Sequence, residues 1–307
     1  MVSCLNARQS DAWVAMNGDC AEVLAQMPSE SIDLSVYSVP FGDLFTYSES
    51  ERDLGNCATD KEFFEQYGYI IREKLRVTKP GRLTAVHCSN LPTRKWRDGY
   101  IGTRRFAHKL CDAHEDNGWH FARDIIIRKD PVVENTRSHA VNLGHGILLA
   151  DSTRSWPGSH DYVMLFRKPG KNVVPVSHNK KDFPVEQWQE WAESVWMNIN
   201  QTDTLNNKVS ASKWIGDAVS LNAVKNEDDE RHVCPLQLHL IERLVIMYSN
   251  PGEVVLSPFM GIGSEGVVSV RRKRKFIGIE LNAKYWASAC GSLEASESGA
   301  VDLFDSA

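Results

Sequence analysis

The segment Val254-Val-Leu-Ser-Pro-Phe-Met-Gly-Ile-Gly-Ser-Glu-Gly266 reads as a strand, a glycine turn and the start of a helix. Val254–Leu256 is apolar and β-branched, as a short buried strand requires. Gly261, Gly263 and Gly266 permit a tight turn that opens a helix and lets backbone N–H groups approach a ligand. Phe276-Ile-Gly-Ile-Glu280 then forms a second strand with a carboxylate at its C-terminal tip, suited to a ribose diol. The spacing satisfies the dinucleotide fingerprint G-x-G-x-x-G with an acid further on. A purely structural glycine turn satisfies it too.

Two features redirect the reading. Glu265 stands in the turn where a pyrophosphate would lie, and its charge would repel one. Only 27 residues follow Glu280 in a chain of 307, too few for the remaining β-α units of a dinucleotide-binding domain. The rest of the sheet is therefore expected from the N-terminal part, in a circularly permuted order. The ligand expected is a nucleoside without a pyrophosphate, a description that S-adenosylmethionine meets.

Composition bounds the class. A chain that is 42% hydrophobic can bury a full core as one large domain, with or without an insertion. A net charge of −5 and a pI near 6.1 give no global nucleic-acid signature, so any such surface must be a local patch. Seven scattered cysteines without a C-x-x-C predict reduced thiols, with neither a zinc site nor a disulfide framework. No signal peptide or membrane-spanning apolar run is apparent, so a soluble cytoplasmic protein is expected.

Residues 1–12 read as a loose lead-in. Asn17-Gly-Asp-Cys20 precedes an amphipathic helix with Val23, Leu24 and Met27 on one face. Ile32–Tyr37 alternates as a strand, with Ser38-Val39-Pro40-Phe41 at its tip, where open α/β sheets bind ligands. A helix over 60–77 should bury Phe63, Phe64, Tyr67, Ile70, Ile71 and Leu75, and end at Lys79-Pro-Gly81. Residues 90–109 are basic and aromatic, equally consistent with a solvated face and a DNA-contacting patch. Strands follow at Arg123–Arg128 and Tyr162–Phe166, separated by a long loop over 129–160. From 171 to about 230 the chain turns polar and tryptophan-bearing, as a partner-facing insertion would. Trp188, Trp191 and Trp196 read as core rather than base-stacking residues. A helix over Leu236–Tyr248 leads into the opening segment, and the tail beyond Gly291 reads as disordered.

In this order the residues resemble the DNA amino-methyltransferases of the permuted β class, which methylate N4 of cytosine or N6 of adenine. Asn17-Gly-Asp19 resembles the element that reads the cofactor adenine. Ser38-Val-Pro-Phe41 is similar to the catalytic [D/N/S]-P-P-[Y/F/W] tetrapeptide, and His232-Val-Cys-Pro-Leu-Gln237 to the motif closing over the methionine end. Ser257-Pro-Phe-Met-Gly-Ile-Gly263 resembles the D-P-F-x-G-x-G turn, and Gly278-Ile-Glu280 carries the ribose acid. Val39 and Ser257 depart from the pattern, standing for proline and aspartate. The block Ser257–Gly266 resembles a variant of phage and prophage modification enzymes.

The resemblance implies a Rossmann-like α/β methyltransferase fold with a mostly parallel sheet, using S-adenosyl-L-methionine to methylate an exocyclic amine of a flipped base in double-stranded DNA. It implies catalysis by Ser38, Val39, Pro40 and Phe41. The cofactor would be held by Asn17, Asp19, Cys20, Ser38, His232, Pro235, Ser257, Pro258, Phe259, Gly261, Gly263, Ser264, Glu280 and Leu281. Without the resemblance, Asp19 equally reads as a helix cap, and His232 and Cys234 as a loop residue and a packed thiol. Arg94, Lys95, Arg97, Arg104 and Arg105 are the candidate DNA contacts, no metal is expected, and a homodimer is the candidate assembly. The division expected is a catalytic half at 1–170, a target-recognition insertion at 171–230 and a cofactor half at 231–307. Serine at position 38 leans toward cytosine N4. The rival functions are an RNA or small-molecule methyltransferase with the same core, and a catalytically silent DNA-binding homologue.

Overall fold

The structure is a computed structural model that describes residues 4–40, 52–93, 95–138, 143–205 and 235–298. Phe41, Arg94, His232 and Cys234, together with residues 206–230 of the expected insertion, lie outside the described residues. Along the chain run β1 (Cys4–Gln9), β2 (Trp13–Gly18), α1 (Cys20–Gln26), β3 (Ile32–Ser38), α2 (Asp60–Val77), β4 (Thr78–Ser89), β5 (Leu91–Pro92), α3 (Lys95–Asp98), β6 (Thr103–Arg104) and α4 (Phe106–Asp116). Then come β7 (His120–Ile127), α5 (Pro131–Ser138), α6 (His145–Ala150), β8 (Asp161–Arg167), α7 (Val185–Trp191) and β9 (Val195–Trp196). The last group is α8 (Leu238–Tyr248), β10 (Val254–Ser257), α9 (Ser264–Arg271), β11 (Lys275–Glu280) and α10 (Ala283–Glu297).

Nine strands form one sheet in the order β1-β2-β11-β10-β3-β4-β8-β7-β9. From β2 to β4 every neighbouring pair is parallel, while β1 and β8 run against their neighbours. Two apolar clusters cover the two faces. One carries Leu240, Ile241, Val267 and Leu293 from α8, α9 and α10. The other carries Leu24, Phe63, Ile71 and Leu110 from α1, α2 and α4. This is the Rossmann-like, mostly parallel sheet expected, with late strands β10 and β11 inserted between early strands β2 and β3.

Several local expectations need correction. Residues 4–9 are an edge strand rather than a lead-in, because backbone pairing with β2 suffices even though most of their side chains are exposed. The helix α2 ends at Val77, just before Lys79-Pro-Gly81 as expected, and those three residues belong to β4, which begins at Thr78. In α2 the buried stripe takes Lys74 and Val77, whereas Phe64 and Leu75 are half-buried. Lys74 is tolerated there because its Nζ donates to Tyr37 Oη at 2.6 Å and Thr84 Oγ1 at 2.7 Å, while burial lowers its pKa. The span 129–160 contains α5 and α6. The chain beyond Gly291 stays helical to Glu297, held by the buried Leu293. Trp191 and Trp196 are buried, but Trp188 is exposed. Arg243 lies between the Trp191 and Trp196 rings and donates to Glu190 and Asn198, tying α7 and β9 to α8.

Candidate active site

The sheet order reverses between β10 and β3: β10 continues through α9 to β11 on one side, and β3 through α2 to β4 on the other. A crevice beyond the carboxyl ends of the strands follows from that reversal. It holds a cavity of about 490 Å³ walled by Asp19, Ser38, Leu54, Phe259, Ser264 and Glu280, among others.

The glycine turn after β10 shapes one wall. Gly261 and Gly263 adopt φ of 52° and 93°, which L side chains rarely accept. Gly266 lies within α9 instead; a Cβ there would meet Leu293 and Phe276 at 2.6 Å, so its absence lets the helix close on β11. The turn presents Gly261 N to Glu280 Oε2 at 2.9 Å, and Asn282 N reaches Glu280 Oε1 at 2.8 Å. Burial pushes the Glu280 carboxyl up to about 7; these backbone N–H groups oppose that rise and Asp53 adds to it. Glu265, also on the wall, is raised to about 8 by burial and by the neighbouring Glu280, outweighing a backbone hydrogen bond that lowers it. The cavity is acidic, with Asp19, Asp53, Glu265 and Glu280 set against Arg52.

The opposite wall is the tip of β3. Ser38 Oγ lies 2.9 Å from His87 Nδ1, and Val39 N donates to His87 O at 3.1 Å. Proline has no such N–H, so the departure at position 39 comes with an anchor between β3 and β4 that the family's ring would forgo. His87 Nε2 in turn faces Asp161 Oδ2 at 3.3 Å, and Lys129 Nζ lies 2.7 Å from Asp161 Oδ1.

Of the residues expected here, Asp19, Cys20, Ser38, Val39, Pro40, Pro235, Pro258, Phe259, Gly261, Ser264, Glu280 and Leu281 all line the one cavity. Asn17, Ser257 and Gly263 do not. Asn17 Nδ2 instead donates to the carbonyls of Glu280 and Leu281, at 2.9 and 3.1 Å, fixing the end of β11. Ser257 is fully buried, and Gly263 packs against Ala289. Asp19 also caps α1, accepting from Ala21 N at 2.8 Å. The sequence reading missed Arg52, Asp53, Gln66 and Tyr69 on the wall, and the His87–Asp161 contact behind it. An acid preceding the apolar Leu54 was the one available signal.

In the basic segment, Arg104 Nη1 and Lys109 Nζ both bind Asp60, at 2.8 and 2.7 Å, and Arg97 binds Asp98. Lys95 and Arg105 are exposed, as are Trp96 and Tyr100 beside them. Among the described residues, no group of three or more His, Cys, Asp or Glu could hold a metal ion, and no helix is long and apolar enough to cross a membrane.

Residues 32–290 match the DNA methylase family of the N6/N4 type. The chain belongs to that family. Its relatives include the type II methyltransferase M.BglII of Bacillus subtilis, 24% identical over 277 residues that cover 88% of this chain and 65% of M.BglII. M.BamHI of Bacillus amyloliquefaciens is 26% identical over 280 residues, covering 89% of this chain and 55% of M.BamHI. With M.BglI of Bacillus subtilis included, the chain spans 39% to 65% of the length of these curated relatives. Among solved structures, the fold of this methylase-family chain is similar to that of TTHA0409 from Thermus thermophilus, assigned as a DNA modification methylase and complexed with S-adenosyl-L-methionine. The TM-score is 0.65 at 23% identity, over 92% of this chain and 93% of that one. PvuII DNA methyltransferase, cytosine-N4-specific, gives a TM-score of 0.63 at 19% identity, over 97% and 89%.

Proposed function

We propose that this chain transfers a methyl group from S-adenosylmethionine to an exocyclic amine of a base in double-stranded DNA, with N4 of cytosine as the acceptor. The observation that carries the reading is the meeting of Ser38-Val39-Pro40 and Glu280 in one cavity at the switch point of the sheet. The wall suits the cofactor. Each Glu280 oxygen accepts one backbone N–H and keeps capacity for a ribose hydroxyl. Ser264 Oγ is buried on the wall without a hydrogen-bond partner among the described residues, ready for a polar ligand group. The carboxylates of Asp19 and Asp53 on the wall favour a sulfonium cation. Bound there, S-adenosylmethionine supplies an electrophilic methyl group.

The chain's own task is to make a poor nucleophile react. An exocyclic amine delocalises its lone pair into the ring. Acceptors at the Ser38 hydroxyl and the Val39 carbonyl would draw its N–H bonds and localise that pair, while the site holds the flipped base in line. Phe41 is assigned the stacking face by its place in the tetrapeptide. Target recognition is assigned to the 171–230 insertion.

Mass spectrometry of nucleosides from DNA of cells expressing the chain is expected to show N4-methylcytosine. N6-methyladenine alone would reassign the base. Labelled methyl appearing in RNA or free nucleosides, but not in duplex DNA, would move the substrate. No methylated product at all would favour the silent homologue.

The DNA face we assign to Lys95, Trp96, Tyr100 and Arg105, whose side chains are exposed in the 95–105 segment. Arg104, held by Asp60, is not the residue to test. Neutralising Lys95 and Arg105 together is expected to flatten the dependence of log K on log salt by about two counterions' worth of slope. An unchanged slope would make the segment an ordinary solvated surface.

A further inference from the structure

Behind the cavity wall, Ser38, His87, Asp161 and Lys129 form a continuous polar chain. It crosses from β3 to β4 to β8 in three contacts of 2.9, 3.3 and 2.7 Å. His87 and Asp161 are 7% and 5% exposed, so the chain is closed to bulk solvent except through Ser38 and the partly exposed Lys129. Burial alone would raise the Asp161 carboxyl, yet the His87 and Lys129 contacts hold it well below the ordinary carboxylate range. Asp161 Oδ2 lies 3.3 Å from Nε2 without the alignment of a hydrogen bond, and its negative charge there favours the imidazole proton on that nitrogen. Nδ1 is then left as an acceptor, and the Ser38 hydroxyl must donate to it. Both Ser38 lone pairs are consequently free to face the cavity.

We infer that His87, oriented by Asp161, is the positioning residue that turns Ser38 into an acceptor for the target amine and takes up the proton that methylation releases. The inference rests on the methyl-transfer reading above. As the amine nitrogen bonds the methyl carbon, the carbon–sulfur pair stays with sulfur and the nitrogen becomes cationic. It sheds one N–H proton to Ser38 Oγ, which passes its own proton to His87 Nδ1. The products are a neutral methylamine, a neutral thioether and an imidazolium beside Asp161. The imidazolium returns its proton to solvent through Ser38 once the product leaves.

Two measurements test it. Nitrogen-15 NMR of the full chain, with His87 assigned by comparison with His87→Gln, is expected to show that the neutral ring carries its proton on Nε2 and leaves Nδ1 bare. A proton on Nδ1 of the neutral ring overturns the inference whether or not the chain proves to be a methyltransferase. In labelled methyl transfer, His87→Ala is expected to lower kcat about a hundredfold, with S-adenosylmethionine affinity unchanged, and to cost nothing further in a Ser38→Ala background. An unchanged kcat, or losses that multiply in the double variant, overturns it. If the native chain methylates no nucleic acid, the functional reading falls and the NMR result still decides the hydrogen-bond polarity.

Discussion

Glu280→Ala is expected to weaken S-adenosylmethionine binding at least tenfold. The substitution removes charge-assisted hydrogen bonds to the ribose diol worth roughly 1.5–3 kcal/mol. It also strips Gly261 N and Asn282 N of their acceptor, loosening the turn on one side of the cavity and the segment after β11 on the other. A second consequence follows from burial. With its carboxyl raised to about 7, Glu280 is partly protonated at neutral pH. A diol donating two O–H bonds prefers the ionised form, so affinity should fall as pH drops below about 7 and level off above it. Calorimetry between pH 6 and pH 8 reads both effects. Equal affinity for the alanine variant would remove Glu280 from the site.

Glu265→Gln is expected to stabilise the protein, and to do so more strongly as pH rises. Glu265 is buried in the first turn of α9, with its pKa raised to about 8 against 4.5 for the ordinary carboxyl. The folded state therefore holds this proton more tightly than the unfolded state. Its contribution is favourable at low pH and is lost as pH climbs from about 4.5 through about 8. At about 1.4 kcal/mol for each pH unit between the two ionisation points, the native chain loses on the order of 3–5 kcal/mol across that window. Glutamine keeps the shape and cannot ionise. Urea melts at pH 5 and pH 8.5 should show the two proteins close at the lower value and well separated at the higher. A constant difference would mean that Glu265 does not titrate in this range.

What was legible in the sequence was contiguous. The glycine turn, Asp19, the Ser38 tetrapeptide and Glu280 each announce themselves within a few neighbouring residues, and strand ends gather such segments at one edge of a parallel sheet. What was hidden depends on partners distant in sequence. Asp161 marks no motif; it matters because the register of β8 sets it beside the end of β4, near His87. Arg104 reads as a free cation until Asp60 of α2 is placed beside it. Lys74 looks like a surface residue in an apolar stripe, and only the tyrosine and threonine hydroxyls around it make burial tolerable. β1 escaped notice because most of its side chains are exposed, and an edge strand needs only a backbone partner.

The insertion of β10 and β11 between β2 and β3 has a consequence for biosynthesis. A ribosome delivers β2 and β3 more than two hundred residues before the pair that must separate them. Until residues 254–280 emerge, the nascent sheet has a slot two strands wide, bordered by two open edges with buried-type side chains. Such edges invite pairing with the wrong strand, and closing the slot requires loop closure across most of the chain. Completion of the sheet should thus wait until residues 254–280 have emerged. Chains truncated before Glu280 should be an aggregating species, because they lack the strands that complete the middle of the sheet.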